Sequence, residues 1–381
     1  MSEFDSGSES CEVNKKNDSC SKNKSSEEKE VEAAEKVINA LLYYKKYVLL
    51  KLKKKADSVN KLPMDDRLLL SFLPDHFKLV REATLQNQKL IEIIVNCGVN
   101  MLAETCAIRQ AFEISQLRPS SEHYMSKVKS TLKQIVRDWA AEGMTERKTN
   151  YDKVLQVINK HFSSEDRHEI NILVPGAGLG RLAWELLRDG FSVTGNEFSI
   201  FMLLTSNFIL NTCHEVDEFT IYPYVMEFSN SWSYTDQLRP IKFPDVSTLL
   251  HSERKNVFSM CAGDFLQAYE KEGEKFDCVA TVFFLDTAAN PITYIRTIHR
   301  ILKTGGIWVN FGPLTYHFED SEEENSLELP FDELVRIIGE LGFHINELEE
   351  KGINMPVEYV ANASSMLKYT YECGFFKCTK L

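Results

Sequence analysis

Three glycines punctuate the string VPGAGLGRLAWEL: Gly176, Gly178 and Gly180. Before them runs the apolar segment EINILVP, which reads as a strand, and after them LGRLAWELLRDG reads as a helix closed by Gly190. Glycine lets a backbone pass close to a ligand, and a helix start offers unpaired N–H groups. Glu197 lies 21 residues beyond Gly176, at the end of a second strand, FSVTGNE. A carboxylate at that point can accept both hydroxyls of a ribose. Glycines alone are equally compatible with a tight turn that binds nothing. Glycines between a strand and a helix, with an acid at the tip of the next strand, point to a nucleoside cofactor.

The spacing then narrows the cofactor. A dinucleotide loop reads G-x-G-x-x-G/A, whereas here the pattern is G-x-G-x-G and Arg181 takes the sixth place. A third strand ends in Ala262-Gly263-Asp264-Phe265. An acid there can take an adenine amino group, with Phe265 beside the ring. One acid after strand two and another after strand three suit S-adenosylmethionine, which has no phosphate to cradle. A nicotinamide dehydrogenase stays open as the other reading, opposed by Arg181 and Asp264.

The elements that must position these groups follow from periodicity. Residues 1–30 carry almost nothing apolar and read as a disordered tail. Residues 31–162 show helical spacing: 31–62, then 65–99 interrupted at Pro74, then 123–143 ending at Gly143, then 151–162. From 163 to 381 strands alternate with helices. After the first three strands come FDCVATVFFLD, the helix ITYIRTIHRILKTGG, the strand GIWVNFGP, the helix FDELVRIIGELGF, the strand FHINELEE and a seventh strand within LKYTYECGFFKCTKL. That alternation predicts an α/β fold, a seven-stranded, doubly wound, Rossmann-like parallel sheet with an N-terminal all-helical extension over the cofactor site. Residues 213–250, aromatic and broken by prolines, fit no element and read as an insertion.

Composition sets the outer bounds. Apolar residues make up 43% and charged residues 26% of 381, which suits a globular chain. The formal net charge of −12 argues against nonspecific nucleic-acid binding. KLKKK at 51–55 reads as a solvated helix face. No apolar run approaches the roughly 18–20 residues of a membrane span, and the first 30 residues lack a secretory core, so no membrane partner is expected. The nine cysteines form no CxxC pair, which predicts reduced thiols, no metal site and a cytoplasmic or nuclear location.

Over residues 35–381 the strings VPGAGLGRLAWEL, GNEFSIFMLLTSNFILN, AGDF, FFLDTAANPI, GGIWVNFGPLTYHFE, MLKYTYEC and IVRDWAAEG together resemble the carnosine N-methyltransferases. The resemblance implies methyl transfer from S-adenosylmethionine to an imidazole nitrogen of carnosine (β-alanyl-histidine), giving anserine. It implies cofactor contacts from Gln134, Arg137, Gly176, Gly178, Glu197, Asp264, Phe265 and Val282, with Arg137 on the methionine carboxylate. It implies Asp286 and His317 as catalytic and substrate-binding groups, with Tyr359, Tyr369 and Tyr371 beside them, and a homodimer through the helical region. Apart from the resemblance, His317 reads as a surface histidine and Asp286 as a helix cap. Tyr369 and Tyr371, two apart on an expected strand, then read as an ordinary aromatic face. Ala289 stands where the family pattern has histidine, Thr370 where it has tyrosine, and Val282 where relatives can carry cysteine. These departures bear on the acceptor, free dipeptide or a histidine in a protein or another peptide, and leave the cofactor residues intact. A noncatalytic binding module on the same fold is opposed by Asp286, His317 and the two tyrosines being present.

Overall fold

A computed structural model describes residues 26–101, 117–163, 166–250, 253–321, 325–349 and 357–381. Of the expected tail, residues 1–25 lie outside the described residues, but its last five belong to helix α1 (Ser26–Asn60). Short α2 (Met64–Leu69) and long α3 (Leu73–Met101) follow. Pro74 was expected to interrupt a helix; it sits instead in the first turn of α3, where its missing N–H has no intrahelical acceptor to lose. α4 (Glu122–Trp139) starts at Ser121, whose hydroxyl accepts from Tyr124 N at 3.3 Å, and α5 (Met144–His161) follows directly.

The sheet then builds around β1 (Asn171–Pro175), β2 (Ser192–Glu197), β5 (Phe258–Ala262), β6 (Phe276–Val282), β7 (Leu302–Gly312), β8 (Phe343–Glu349) and β11 (Gly374–Lys380). Its order is β5-β2-β1-β6-β7-β11-β8. The expected sheet was all parallel. β11 instead runs antiparallel to both β7 and β8, slotting between them. The strand expected over 367–381 divides into β10 (Thr370–Tyr371) and β11, and β10 pairs outside the main sheet with β9 (Val357–Glu358). The helix expected to run to Gly306 stops at Ile301, because Leu302 already pairs with Phe276 in the sheet.

Strand alternation divides the core between two faces. Ile172 and Val174 of β1, Cys278 and Ala280 of β6, and Ile307, Val309 and Phe311 of β7 meet Val154 and Ile158 of α5 and Leu182 and Leu186 of α6 (Arg181–Arg188). Leu173, Val279, Trp308 and Phe376 point the other way. They pack on Ile295 and Ile298 of α10 (Pro291–Ile301) and Leu334 and Ile338 of α11 (Phe331–Glu340). A third cluster joins α1, α3 and α4 to Phe201, Leu204 and Phe208 of α7 (Ile200–Thr212). The 213–250 segment belongs to that cluster: β3 (Phe219–Ile221) pairs with β4 (Ile241–Phe243), short α8 (Tyr234–Gln237) lies between them in the chain, and Tyr224, Val225 and Phe243 are buried there.

Candidate functional site

The glycine loop leaves β1 and turns into α6 with Gly176, Gly178 and Gly180 all at positive φ. At Gly176 a Cβ would meet Phe284 Cδ2 at 2.7 Å, so both the backbone angle and the neighbour require glycine. A Cβ on Gly178 would make an ordinary contact with Arg137 Nη2, 3.8 Å away. The acid of β2 lies directly beneath the loop. Glu197 Oε2 accepts from Gly178 N at 2.7 Å, and Oε1 accepts from Phe198 N and Ser199 N at 2.9 and 2.7 Å. Burial pushes the Glu197 carboxyl up, and the three N–H groups pull the other way. With about four lone-pair positions and three donors, the carboxylate is oriented but keeps acceptor capacity for a ribose hydroxyl.

Asp264 stands next to that tip, since Gly263 N donates to Glu197 O at 2.9 Å and Asn196 Nδ2 to Gly263 O at 3.0 Å. Asp264 Oδ1 also accepts from Gln267 N, capping the short α9 (Phe265–Ala268). Phe265 does not stand open beside a ligand ring as the sequence suggested. Its side chain is 3% exposed and meets Phe284 and Tyr294 edge-on in the core, leaving only its backbone toward the tip of the strand.

α4 brings the helical region to the same place. Arg137 donates from Nε and Nη2 to Asp138 at 2.9 and 3.0 Å, and its guanidinium lies 5.1 Å from the centre of the Tyr359 ring. Burial opposes the charge on Arg137, but Asp138, with Tyr151 and Tyr359 behind it, holds the guanidinium firmly protonated. Tyr151 donates to Asp138 at 2.9 Å. Arg181, the residue that broke the dinucleotide pattern, donates to Asp138 O at 2.9 Å and to Asp245 at 2.6 Å, fastening the glycine-loop helix to the end of α4. Two buried polar atoms here have no hydrogen-bond partner among the described residues: Gln134 Oε1 on α4 and Asn150 Oδ1 on α5. Arg137, Asn150, Tyr151, Gly176, Val282 and Phe283 line one small cavity over the loop. Unsatisfied acceptors, an oriented cation and a glycine floor fit an amino-acid end of a ligand carrying both ammonium and carboxylate.

The acceptor side begins where β6 ends. Phe283 takes φ +53°, an uncommon angle for a bulky residue, and stacks on Tyr359 with ring centroids 4.6 Å apart and 19° between planes. Its edge meets Tyr371 at 6.0 Å. Burial raises the Tyr371 hydroxyl, with the neighbouring Tyr359 and Asp286 adding to it. Asp286 is 2% exposed. It does not cap the following helix; Asn290 does that by accepting from Ile292 N. Instead Asp286 Oδ2 accepts from Thr315 N and Thr315 Oγ1 at 2.9 and 2.7 Å, and its backbone oxygen accepts from His317 N at 3.0 Å. Oδ1 accepts no hydrogen bond from the described residues.

Two expected residues stand apart. The His317 side chain is exposed, tied to Asp286 only through its backbone. Tyr369 is 66% exposed and shares no ring contact with Tyr359 or Tyr371. It precedes the two-residue β10, so alternation along a longer strand never applies to it. Sequence reasoning missed Asp138, Tyr151, Asn150 and Phe283. Asp138 adjoins Arg137 and Phe283 adjoins Val282, but only packing across elements gives these residues their roles.

The sequence profile of the family described as carnosine N-methyltransferase matches residues 114–381. Carnosine N-methyltransferase of Rattus norvegicus is 43% identical over 347 residues, covering 91% of this chain and 85% of its own length. The Drosophila melanogaster protein named carnosine N-methyltransferase unmet is 39% identical over 374 residues, covering 93% and 81%. Carnosine N-methyltransferase of Schizosaccharomyces pombe is 36% identical over 371 residues, covering 92% and 96%. With the glycine loop, the paired strand-tip acids and matches across nine-tenths of its length, the chain belongs to the carnosine N-methyltransferase family of S-adenosylmethionine-dependent enzymes.

Proposed function

We propose that this protein methylates an imidazole nitrogen of carnosine to give anserine, using the residues gathered between the glycine loop and Asp286. The observation that carries the residue assignment is the buried Asp286. One of its oxygens is fixed by Thr315 and the other accepts no hydrogen bond from the described residues, beside an aromatic wall of Phe283, Tyr359 and Tyr371. S-adenosylmethionine, when bound, supplies an electrophilic sulfonium methyl. Glu197 would hold its ribose, Asp264 its adenine amino group, and Arg137 and Gln134 its amino-acid end, over Gly176 and Gly178.

The chain's own groups set up the acceptor. A neutral imidazole has one N–H and one lone pair, and only the lone pair attacks carbon. Asp286 Oδ1, accepting the N–H, holds the tautomer whose free nitrogen faces the methyl. A methyl received from the sulfonium at that nitrogen, with the sulfur keeping the electron pair, would make the ring an imidazolium. Asp286 then stabilises the new charge and takes the surplus proton. His317, anchored through its backbone on Asp286, closes the outer side of the ring. Phe283, Tyr359 and Tyr371 exclude water and stack against the imidazole, and most of the acceleration comes from this positioning.

The test incubates the purified protein with methyl-labelled S-adenosylmethionine and carnosine, free histidine or a histidine-containing decapeptide in parallel, with products identified by mass. Label in anserine is the expected result. Label in the decapeptide with carnosine spared would assign a peptide histidine as the acceptor, and label in none would overturn the proposal.

A further inference from the structure

One cavity among the described residues lies away from this site. It holds about 700 Å³ between the end of α1, the start of α3 and the 227–237 part of the insertion. That volume is in the range of small-molecule sites. No residue assigned above to cofactor or acceptor lines it. Its inner wall carries His76, 5% exposed, whose Nε2 is buried with no hydrogen-bond partner. Burial lowers the His76 pKa, and a hydrogen bond with Gln237 opposes the shift. The imidazole packs on Tyr234 with centroids 3.8 Å apart, and Phe77, Phe228 and Trp232 complete an aromatic lining. Trp232 is 70% exposed, an unusual cost for so large an apolar side chain.

Charge at this cavity has one sign to spare. Lys54 and Lys55 are exposed at the rim and form no ion pair with the described residues; Lys55 Nζ rests 4.3 Å above the Phe228 ring. The acid among the lining residues, Glu227, is already engaged by Lys133 and by Asn362 Nδ2. A cavity with aromatic faces, a buried imidazole Nε2 without a partner among the described residues and two ammonium groups at its rim selects a particular chemistry. We propose that it is a second ligand site, for a planar aromatic ring bearing an anionic group. The ring would stack among Tyr234, Phe228 and Trp232, the anion would meet Lys54 and Lys55, and a polar ring atom would pair with His76 Nε2.

Two probes separate the kinds of anion: adenosine 5′-monophosphate and 2-naphthoate, each titrated calorimetrically into full-length protein saturated with S-adenosylhomocysteine so that the methyl-transfer site is filled. Saturable binding of either at one per chain is expected, at least tenfold tighter for 2-naphthoate than for neutral 2-naphthalenemethanol if the carboxylate binds. The surface variant Lys54→Ala/Lys55→Ala should lose at least tenfold in affinity with an unchanged melting temperature, and Trp232→Ala should also weaken binding. Absence of binding by both probes, competition by S-adenosylhomocysteine, or full affinity in the double lysine variant would overturn the site.

Discussion

At the scale of single residues, two carboxylates divide the work by their surroundings. Thr315 holds one oxygen of Asp286, and the other is the one proposed to meet the acceptor. Asp286→Ala is expected to cut carnosine turnover by roughly 10²-fold or more, the range of a positioned acid–base group, with S-adenosylhomocysteine affinity unchanged. Single-turnover rates alongside calorimetry check this; wild-type turnover would make Asp286 a clamp for the Thr315 turn and nothing more. His317→Ala should lower kcat/KM for carnosine at least tenfold, again without loss of cofactor affinity. Glu197 has the other proposed role, holding the cofactor ribose. Removing a charge-assisted hydrogen bond costs on the order of 1.5–3 kcal/mol, so Glu197→Ala should weaken S-adenosylhomocysteine binding by about 10–150-fold. Near wild-type affinity would refute the ribose assignment. This acid was readable from its spacing after Gly176, because a strand, a turn, a helix and a second strand set that distance locally. The orienting of Arg137 by Asp138, Tyr151 and Arg181 was not readable, since it depends on helices α4, α5 and α6 meeting in space.

At the scale of elements, the acceptor wall depends on a loop that has little regular structure of its own. Tyr359 follows the two-residue β9, and Val360 after it takes φ +50°. Glu146 on α5 accepts from Val360 N and Ala361 N, at 2.5 and 3.0 Å, from more than 200 positions away in the chain. Burial raises the Glu146 carboxyl, while Arg137 and the two N–H groups oppose it. The sign follows from linkage. A folded value above the ordinary 4.5 means the protonated form favours the folded state, and that contribution fades as pH rises through the folded value. Glu146→Gln does not titrate, so its stability deficit against the wild type should be larger at pH 4.5 than at pH 7.5, measured by denaturant unfolding. A deficit that grows with pH would mean the ion attractions outweigh burial. At neutral pH the same variant should raise KM for carnosine more than it lowers cofactor affinity, because Tyr359 loses its support. The pairing of residues 146 and 360 left no trace in the sequence. Nor did the split of the last strand: LKYTYECGFFKCTKL has a strand-like composition throughout, and only the competing pairing of Thr370–Tyr371 with β9 divides it. The alternating strands and helices were legible because the central strands β1 and β6 are buried on both faces and read as apolar runs, as in FDCVATV.

At the scale of the molecule, the helical extension and the sheet share their interior. One cluster runs without a break from Val31 on α1 through Trp139 on α4 to Phe208 on α7 and Phe243 in the insertion. Trp139 Nε1 donates to Leu179 O in the glycine loop at 3.0 Å, so the extension is bonded to the loop it covers. The sequence marks a change of period near residue 162, but packing does not part there. A chain beginning at residue 163 would uncover Phe201, Leu204, Phe208 and Ile209 of α7, all at most 5% exposed here. At about 1.5–3 kcal/mol for each large apolar side chain, that loss is roughly 6–12 kcal/mol. The total stability of a folded domain is about 5–15 kcal/mol, so the fragment has little or nothing left. It should therefore be insoluble or lack a cooperative melting transition, and it should not bind S-adenosylhomocysteine. Removing residues 1–25, which hold almost no apolar side chains, should leave melting temperature and turnover nearly unchanged. Calorimetric melting of both truncations beside the full chain is the comparison that decides. A cooperative transition in the 163–381 fragment would show that the sheet folds alone and that the helical extension is a separable cover.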